Sequence, residues 1–278
     1  MPSRVRWGQC FLVDGEAALR IVEWAGVGGL PVVEIGPGRG ALTGLLRTRV
    51  SSLTLIEIDP HLTKQLRELY QDDSGVTVIE GDALRVDWST VVAPGFTVVA
   101  NLPYESGTAI VASLLRRREL LREMVVMLQK EVVARLAATP GGKVYGALSV
   151  IIQMTNDVER GLIVAPRSFR PRPSVESQIV RIRPLAAPRF ELGDEAAFPG
   201  LVHAAFAQRR KMLRNNLGRH LDSRFGKDAG ERVMERAGIA GNVRPEELTL
   251  AEFAALAREA TVESKNAPQQ VPPDAGTS

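Results

Sequence analysis

The chain has 278 residues, 45% of them apolar and 24% charged, with a formal net charge of +3. That is the make-up expected of a soluble globule with one large domain and a small one, and no apolar run nears the ~18 residues of a membrane span. A lone cysteine, Cys10, permits no internal disulfide, and His61, His203 and His220 are not clustered at zinc-ligand spacing, so no metal centre is expected.

The amino terminus, Met1 to Trp7, lacks the apolar core of a signal peptide, which points to the cytoplasm. Gly8 to Val13 leads to Asp14, placed to cap a helix that carries Ala18, Leu19, Val22 and Trp24. Pro31 to Ile35 reads as a buried first strand, which enters Gly36-Pro37-Gly38-Arg39-Gly40-Ala41 at the mouth of a helix. This is the spacing of a nucleotide loop, and Glu57 follows about 20 residues on, where an acid can hold a ribose. Both features leave NAD and S-adenosylmethionine open. Leu53 to Asp59 is a second strand, a helix runs from about His61 to Tyr70, and Val76 to Glu80 is a third strand that ends in Gly81-Asp82. Asp82 is placed for an exocyclic adenine amino group.

The fourth strand, Phe96 to Ala100, closes on Asn101-Leu102-Pro103-Tyr104. Such a turn suits a planar amino group. The Asn101 side chain can accept one N–H, the main-chain carbonyl of Leu102 a second, and Pro103 stiffens the turn. The Tyr104 ring offers a base a stacking face, a contact worth roughly 1 to 3 kcal/mol. Taken alone, the same residues could be a capped proline turn with a core tyrosine. An acid after the second strand, another after the third and this turn after the fourth form a series on one sheet edge that a dehydrogenase does not need. The series decides against NAD.

Together these stretches resemble the bacterial ribosomal RNA adenine dimethyltransferase family, as do Gly8-Gln9 with Phe11-Leu12, Leu128 to Val132, Phe169 to Ser177 and Phe206 to Lys211. The resemblance covers about Gly8 to Ala260. It implies an α/β fold, a Rossmann-like S-adenosylmethionine-dependent methyltransferase sheet, followed by a small all-helical domain. It also implies S-adenosylmethionine as donor, contacted by Leu12, Gly36, Glu57, Asp82 and Asn101, with Asn101 also serving the acceptor. Two adjacent adenosines in the 3′-terminal hairpin of 16S ribosomal RNA would be that acceptor, within the assembling 30S subunit, and the enzyme would act as a monomer. The chain departs from the family pattern at Cys10, a cofactor-side position usually held by Asn, and at Glu105, which follows the motif tyrosine.

Later elements are read more coarsely. Glu123 to Leu128 is a fifth strand, Lys130 to Ala138 a short helix, Gly146 to Thr155 either helix or strand, and Glu176 to Arg183 a last strand. Phe169, between arginines in a proline-stiffened loop, is a candidate to stack on a flipped adenine or else a buried loop anchor. Domains are expected at 1–184 for catalysis, 185–260 for helical RNA binding and 261–278 as a disordered tail. In the helical part, Pro199 starts a helix whose face Val202, Phe206, Leu213, Leu217 and Leu221 would share. A second helix runs from Gly230 to Ala237, and Thr249 to Glu252 is a capping box for a third. Arg209, Arg210, Lys211, Arg214, Arg219, Arg224 and Lys227 oppose a single acid, Asp222. Arg167, Arg170, Arg172, Arg181 and Arg183 form a second basic group. Each is a phosphate-binding surface or a solvated basic face. Remaining rivals are a large-subunit adenine methyltransferase, an assembly factor that rarely turns over and a DNA adenine methyltransferase.

Overall fold

The computed structural model describes residues 10–208 and 210–266. The described residues form two compact units, 10–137 with 156–185 and 138–155 with 186–266.

The first unit carries the sheet. Its strands are β1 (Phe11–Leu12), β2 (Pro31–Ile35), β3 (Ser52–Glu57), β4 (Val76–Glu80), β5 (Phe96–Asn101), β6 (Leu121–Gln129), β7 (Asn156–Val164), β8 (Phe169–Arg170) and β9 (Ser177–Pro184). Seven of them pair in the order β4-β3-β2-β5-β6-β9-β7, and β1 pairs with β8 as a separate ribbon. The five strands from β4 to β6 are mutually parallel, while β9 is antiparallel to both neighbours. Helices α1 (Gly15–Ala25), α2 (Thr43–Arg47), α3 (Pro60–Leu69), α4 (Trp88–Val91), α5 (Gly107–Leu115) and α6 (Lys130–Leu136) connect them. Central strands covered on both faces need unbroken apolar runs, and Val98, Val99, Met124, Val125 and Val126 are all at most 1% exposed. Asp14 caps α1 as expected, accepting from Ala17 N at 3.0 Å.

Strand β7 has no counterpart in the sequence reading. It lies at the sheet edge, and its Asp157, Glu159 and Arg160 replace the apolar alternation that would reveal it. Charged edges deter pairing with other chains.

The second unit is helical: α7 (Ala147–Thr155), α8 (Phe198–Ala205), α9 (Arg219–Phe225), α10 (Ala229–Arg236) and α11 (Leu250–Asn266) surround Val150, Val202, Leu213, Leu217, Phe253 and Leu256. Helix α7 belongs here, so residues 138–155 leave the domain to which their place in the sequence assigned them. The long helix expected beyond Pro199 is also broken. Helix α8 stops at Ala205 because the buried Asn216 side chain donates to Ala205 O at 2.8 Å and to Gln208 O at 3.0 Å. The chain resumes as a π-helical turn, Arg214–Gly218, that runs into α9. Thr249 and Glu252 do form the capping box, with Thr249 N donating to Glu252 at 2.7 Å and Glu252 N to Thr249 at 3.3 Å. Helix α11 continues to Asn266, so residues 261–266, expected to be disordered, are helical. The rest of that tail, Gly8-Gln9 and Arg209 lie outside the described residues.

Candidate active site

The loops after β2, β3 and β5 enclose a half-open cleft with about 740 Å³ of empty space. Its floor is the turn after β2. Gly36 (φ 65°) and Gly38 (φ 58°) have left-handed backbones that a side chain would strain, and a Cβ on Gly38 would also lie 3.0 Å from the Phe11 ring. Glu57 ends β3 as a buried residue whose carboxylate accepts from Gly38 N and Asp59 N, each at 3.0 Å. A carboxylate has about four lone-pair sites, so these bonds leave acceptor capacity for a diol. Burial pushes the Glu57 pKa up, against the pull of these main-chain bonds. Deeper in the cleft, Glu34 is 2% exposed and its Oε2 has no partner. Burial pushes that carboxyl up to about 8, against the pull of the Thr43 hydroxyl and with the Glu57 charge adding to the rise.

The other wall is the β5 turn. Asn101 Nδ2 donates to the main-chain carbonyl of Cys10 at 3.2 Å, so the amide is held with Oδ1 as the side left to accept. Leu102 and Pro103 line the cleft beside it, as does Tyr104, whose hydroxyl lies 2.6 Å from Ser177 Oγ. Cys10, half-buried, lines the cleft, and burial raises its thiol's pKa. Leu12 closes the same side, and Arg39 lies over the Phe11 ring at 4.9 Å, folding the loop after β2 against β1.

The structure thus brings Cys10, Leu12, Gly36, Glu57, Asn101, Leu102 and Tyr104 to one cleft. Two expected residues stand apart. Asp82 follows Gly81, whose N–H donates to Glu57 O at 2.8 Å, but its carboxylate accepts from Leu84 N at 2.9 Å and does not line the cleft. Phe169 is 0% exposed and so offers no stacking face. Its backbone pairs with Leu12 and its ring is packed in the core under the sheet, because β8 turns it inward while its neighbour Arg170 points out. The second basic group divides as well. Arg181 and Arg183 are ion-paired with Glu123 and Glu159, and Arg181 also lies over the Trp24 ring, so these two hold the sheet together.

Comparison with known proteins gives this cleft a context. The family model for ribosomal RNA adenine dimethylase matches residues 2–261. The chain belongs to that family. The ribosomal RNA small subunit methyltransferase A of Geobacter sulfurreducens is 42% identical over 262 residues, covering 92% of this chain and 94% of that one. Its counterpart in Acidobacterium capsulatum is 44% identical over 255 residues, covering 90% and 89%. Among solved structures, a dimethyladenosine transferase from Plasmodium falciparum is 25% identical with a TM-score of 0.78, covering 91% of this chain and 98% of that one. The 23S rRNA methyltransferase ErmE is 26% identical with a TM-score of 0.69, covering 90% and 99%.

Dimethylases of this family use S-adenosylmethionine, and the residues present fit it. A glycine floor admits a flat nucleoside, Glu57 can take a diol, and the orphan oxygen of Glu34 suits a cationic ligand. Glu34 and Ser177 had no assigned role from sequence. An acid inside an apolar strand was a readable signal for Glu34, whereas Ser177 meets Tyr104 across 73 positions of sequence and left none.

Proposed function

We propose that this dimethylase converts two adjacent adenosines in the 3′-terminal hairpin of 16S ribosomal RNA to N6,N6-dimethyladenosine, acting on the assembling small subunit as a cytoplasmic monomer. The reading rests above all on Asn101, with its amide oriented by Cys10, standing beside Tyr104 in the cleft that Glu57 shares. Relatives above 40% identity are small-subunit enzymes, whereas the large-subunit enzyme matched is 26% identical. Among the described residues no helix is long and apolar enough to cross a membrane.

Bound S-adenosylmethionine supplies an electrophilic methyl group. The protein supplies placement. Asn101 Oδ1 accepts one hydrogen of N6 and the Leu102 carbonyl the other, which draws the nitrogen lone pair out of conjugation with the base. Tyr104 stacks on the extruded adenine. Holding reactants in line can supply roughly 7 to 11 kcal/mol of the barrier. The methylated nitrogen is cationic and acidic, so its proton leaves to water and no side-chain base is needed. Glu57 is assigned the ribose of the donor, while Cys10, Leu12 and Gly36 enclose it. On the second unit, exposed Arg210, Lys211, Arg214, Arg219, Arg224 and Lys227 are assigned to RNA phosphates.

Incubating the protein and labelled donor with unmethylated small subunits and, separately, with naked large-subunit RNA tests the reading. N6,N6-dimethyladenosine in the small-subunit RNA supports it. Label confined to the large-subunit RNA overturns it in favour of an ErmE-like substrate.

A further inference from the structure

Tyr104 is held from outside its own motif. Its phenolic oxygen lies 2.6 Å from the hydroxyl of Ser177, the first residue of β9. Ser177 is 0% exposed and pinned from both sides: it pairs with Gln129 on β6 and with Val164 on β7. The residue before it is clipped twice more, since Lys130 N donates to Glu176 O at 2.9 Å and Lys130 Nζ contacts the Glu176 carboxylate at 2.7 Å. A partner so constrained cannot follow a moving ring.

We propose that Ser177 is a positioning residue for the acceptor base, holding the Tyr104 ring at a fixed tilt beside Asn101 so that the stacking face exists before RNA arrives. The proposal rests on the dimethylase reading above. A phenolic O–H lies in the plane of its ring because the oxygen lone pair conjugates with it. A hydrogen bond to a fixed oxygen therefore biases the ring plane as well as the ring axis. Burial raises the Tyr104 pKa further above neutrality, so the phenol is protonated and the bond intact near neutral pH. Tyr104 and Asn101 leave one turn of chain, and each is anchored to a different segment, Ser177 and Cys10. Those segments are joined in turn by the β1–β8 ribbon, where Leu12 pairs with Phe169 and Val13 N donates to Ser168 O at 2.9 Å. The angle between base and amide is thus set by the scaffold. Because the same nitrogen must be presented twice, the second time with a methyl group in place of one hydrogen, a ring free to tilt would be felt most in the second transfer.

Ser177→Ala and Tyr104→Phe remove the same bond and leave the ring in place. Each should lower kcat by about 2- to 13-fold, the usual worth of one neutral hydrogen bond, with KM for RNA and donor nearly unchanged and monomethyl product accumulating. The double variant should be no slower than either alone. Wild-type kcat in Tyr104→Phe, which does not disturb the β9 core, or defects that multiply in the double variant, would overturn the proposal. A second readout needs no turnover: 2-aminopurine at the acceptor position should be quenched on binding by wild type and less by Ser177→Ala. Equal quenching by the two proteins counts against the serine. Failure of wild type to methylate small-subunit RNA would instead sink the function reading, whereas normal wild-type turnover with equal quenching by the two proteins sinks the role of Ser177 alone.

Discussion

Replacing Glu34 by Gln probes the electrostatics of the cleft while keeping its shape. Burial moves the wild-type carboxyl from 4.5 to about 8. Between those pH values the folded chain holds a proton that the unfolded chain has released. This contribution to stability is therefore full below the unfolded pKa and is lost as pH rises through the folded one, at ~1.4 kcal/mol per pH unit and roughly 5 kcal/mol at most. The substituted amide would not titrate. Thermal unfolding of ligand-free wild type and Glu34→Gln at about pH 6 and pH 8 reads the Glu34 titration together with its coupling to Glu57 and Tyr70, the groups whose charges interact with it. Wild type should lose ~2 to 3 kcal/mol more than the variant, or roughly 4 to 12 °C in Tm at ~2 to 4 °C per kcal/mol. Saturating S-adenosylmethionine should flatten the difference, since a cation nearby favours the ionised carboxylate. Parallel pH profiles for the two proteins without donor would refute the reasoning.

Asn101→Ala should cut single-turnover methylation by ~100- to 1,000-fold, as loss of one preorganised polar contact at a reacting centre does, with RNA affinity within about 2-fold of wild type. Lys211→Ala with Arg214→Ala should weaken small-subunit binding and reduce its salt slope by about one per lost phosphate contact, measured by titration at several salt concentrations; an unchanged slope makes these residues a solvated face. The Cys10 thiol, with its pKa raised by burial, should alkylate more slowly than a free cysteine at neutral pH, and saturating donor should slow it further. Equal rates with and without donor would place the thiol outside the donor site.

Much of the first unit was legible because burial on both faces writes itself into sequence as apolar runs. Strands β2, β4 and β5 fall at or within one residue of the expected bounds, and the residues that end β3 and β5, Glu57 and Asn101, meet in one cleft. What escaped depended on partners distant in sequence. The apolar spacing from Val202 to Leu221 continues through a break that Asn216 enforces by taking carbonyls from the end of α8. Phe169 sits among arginines and prolines in sequence, yet its direction is set by pairing with Leu12, more than 150 positions earlier. Propensity carries no information about such pairings.

Sheet order explains why donor and acceptor groups share an edge. Strand β2 is flanked by β3 on one side and β5 on the other, so the crossovers leaving β2 and entering β5 diverge and open a crevice at the carboxyl ends of the strands. Neighbouring strands are about 4.8 Å apart, which puts the ends of β3 and β5 roughly 10 Å from each other across β2. A ligand that reaches Glu57 at one end and the floor glycines after β2 in its middle must present its far end to Asn101. On the proposed assignment of Glu57 and Asn101, sheet geometry delivers the reactive end of a nucleoside donor to the amide that Cys10 orients, and the loops need only decide which base is admitted to meet it.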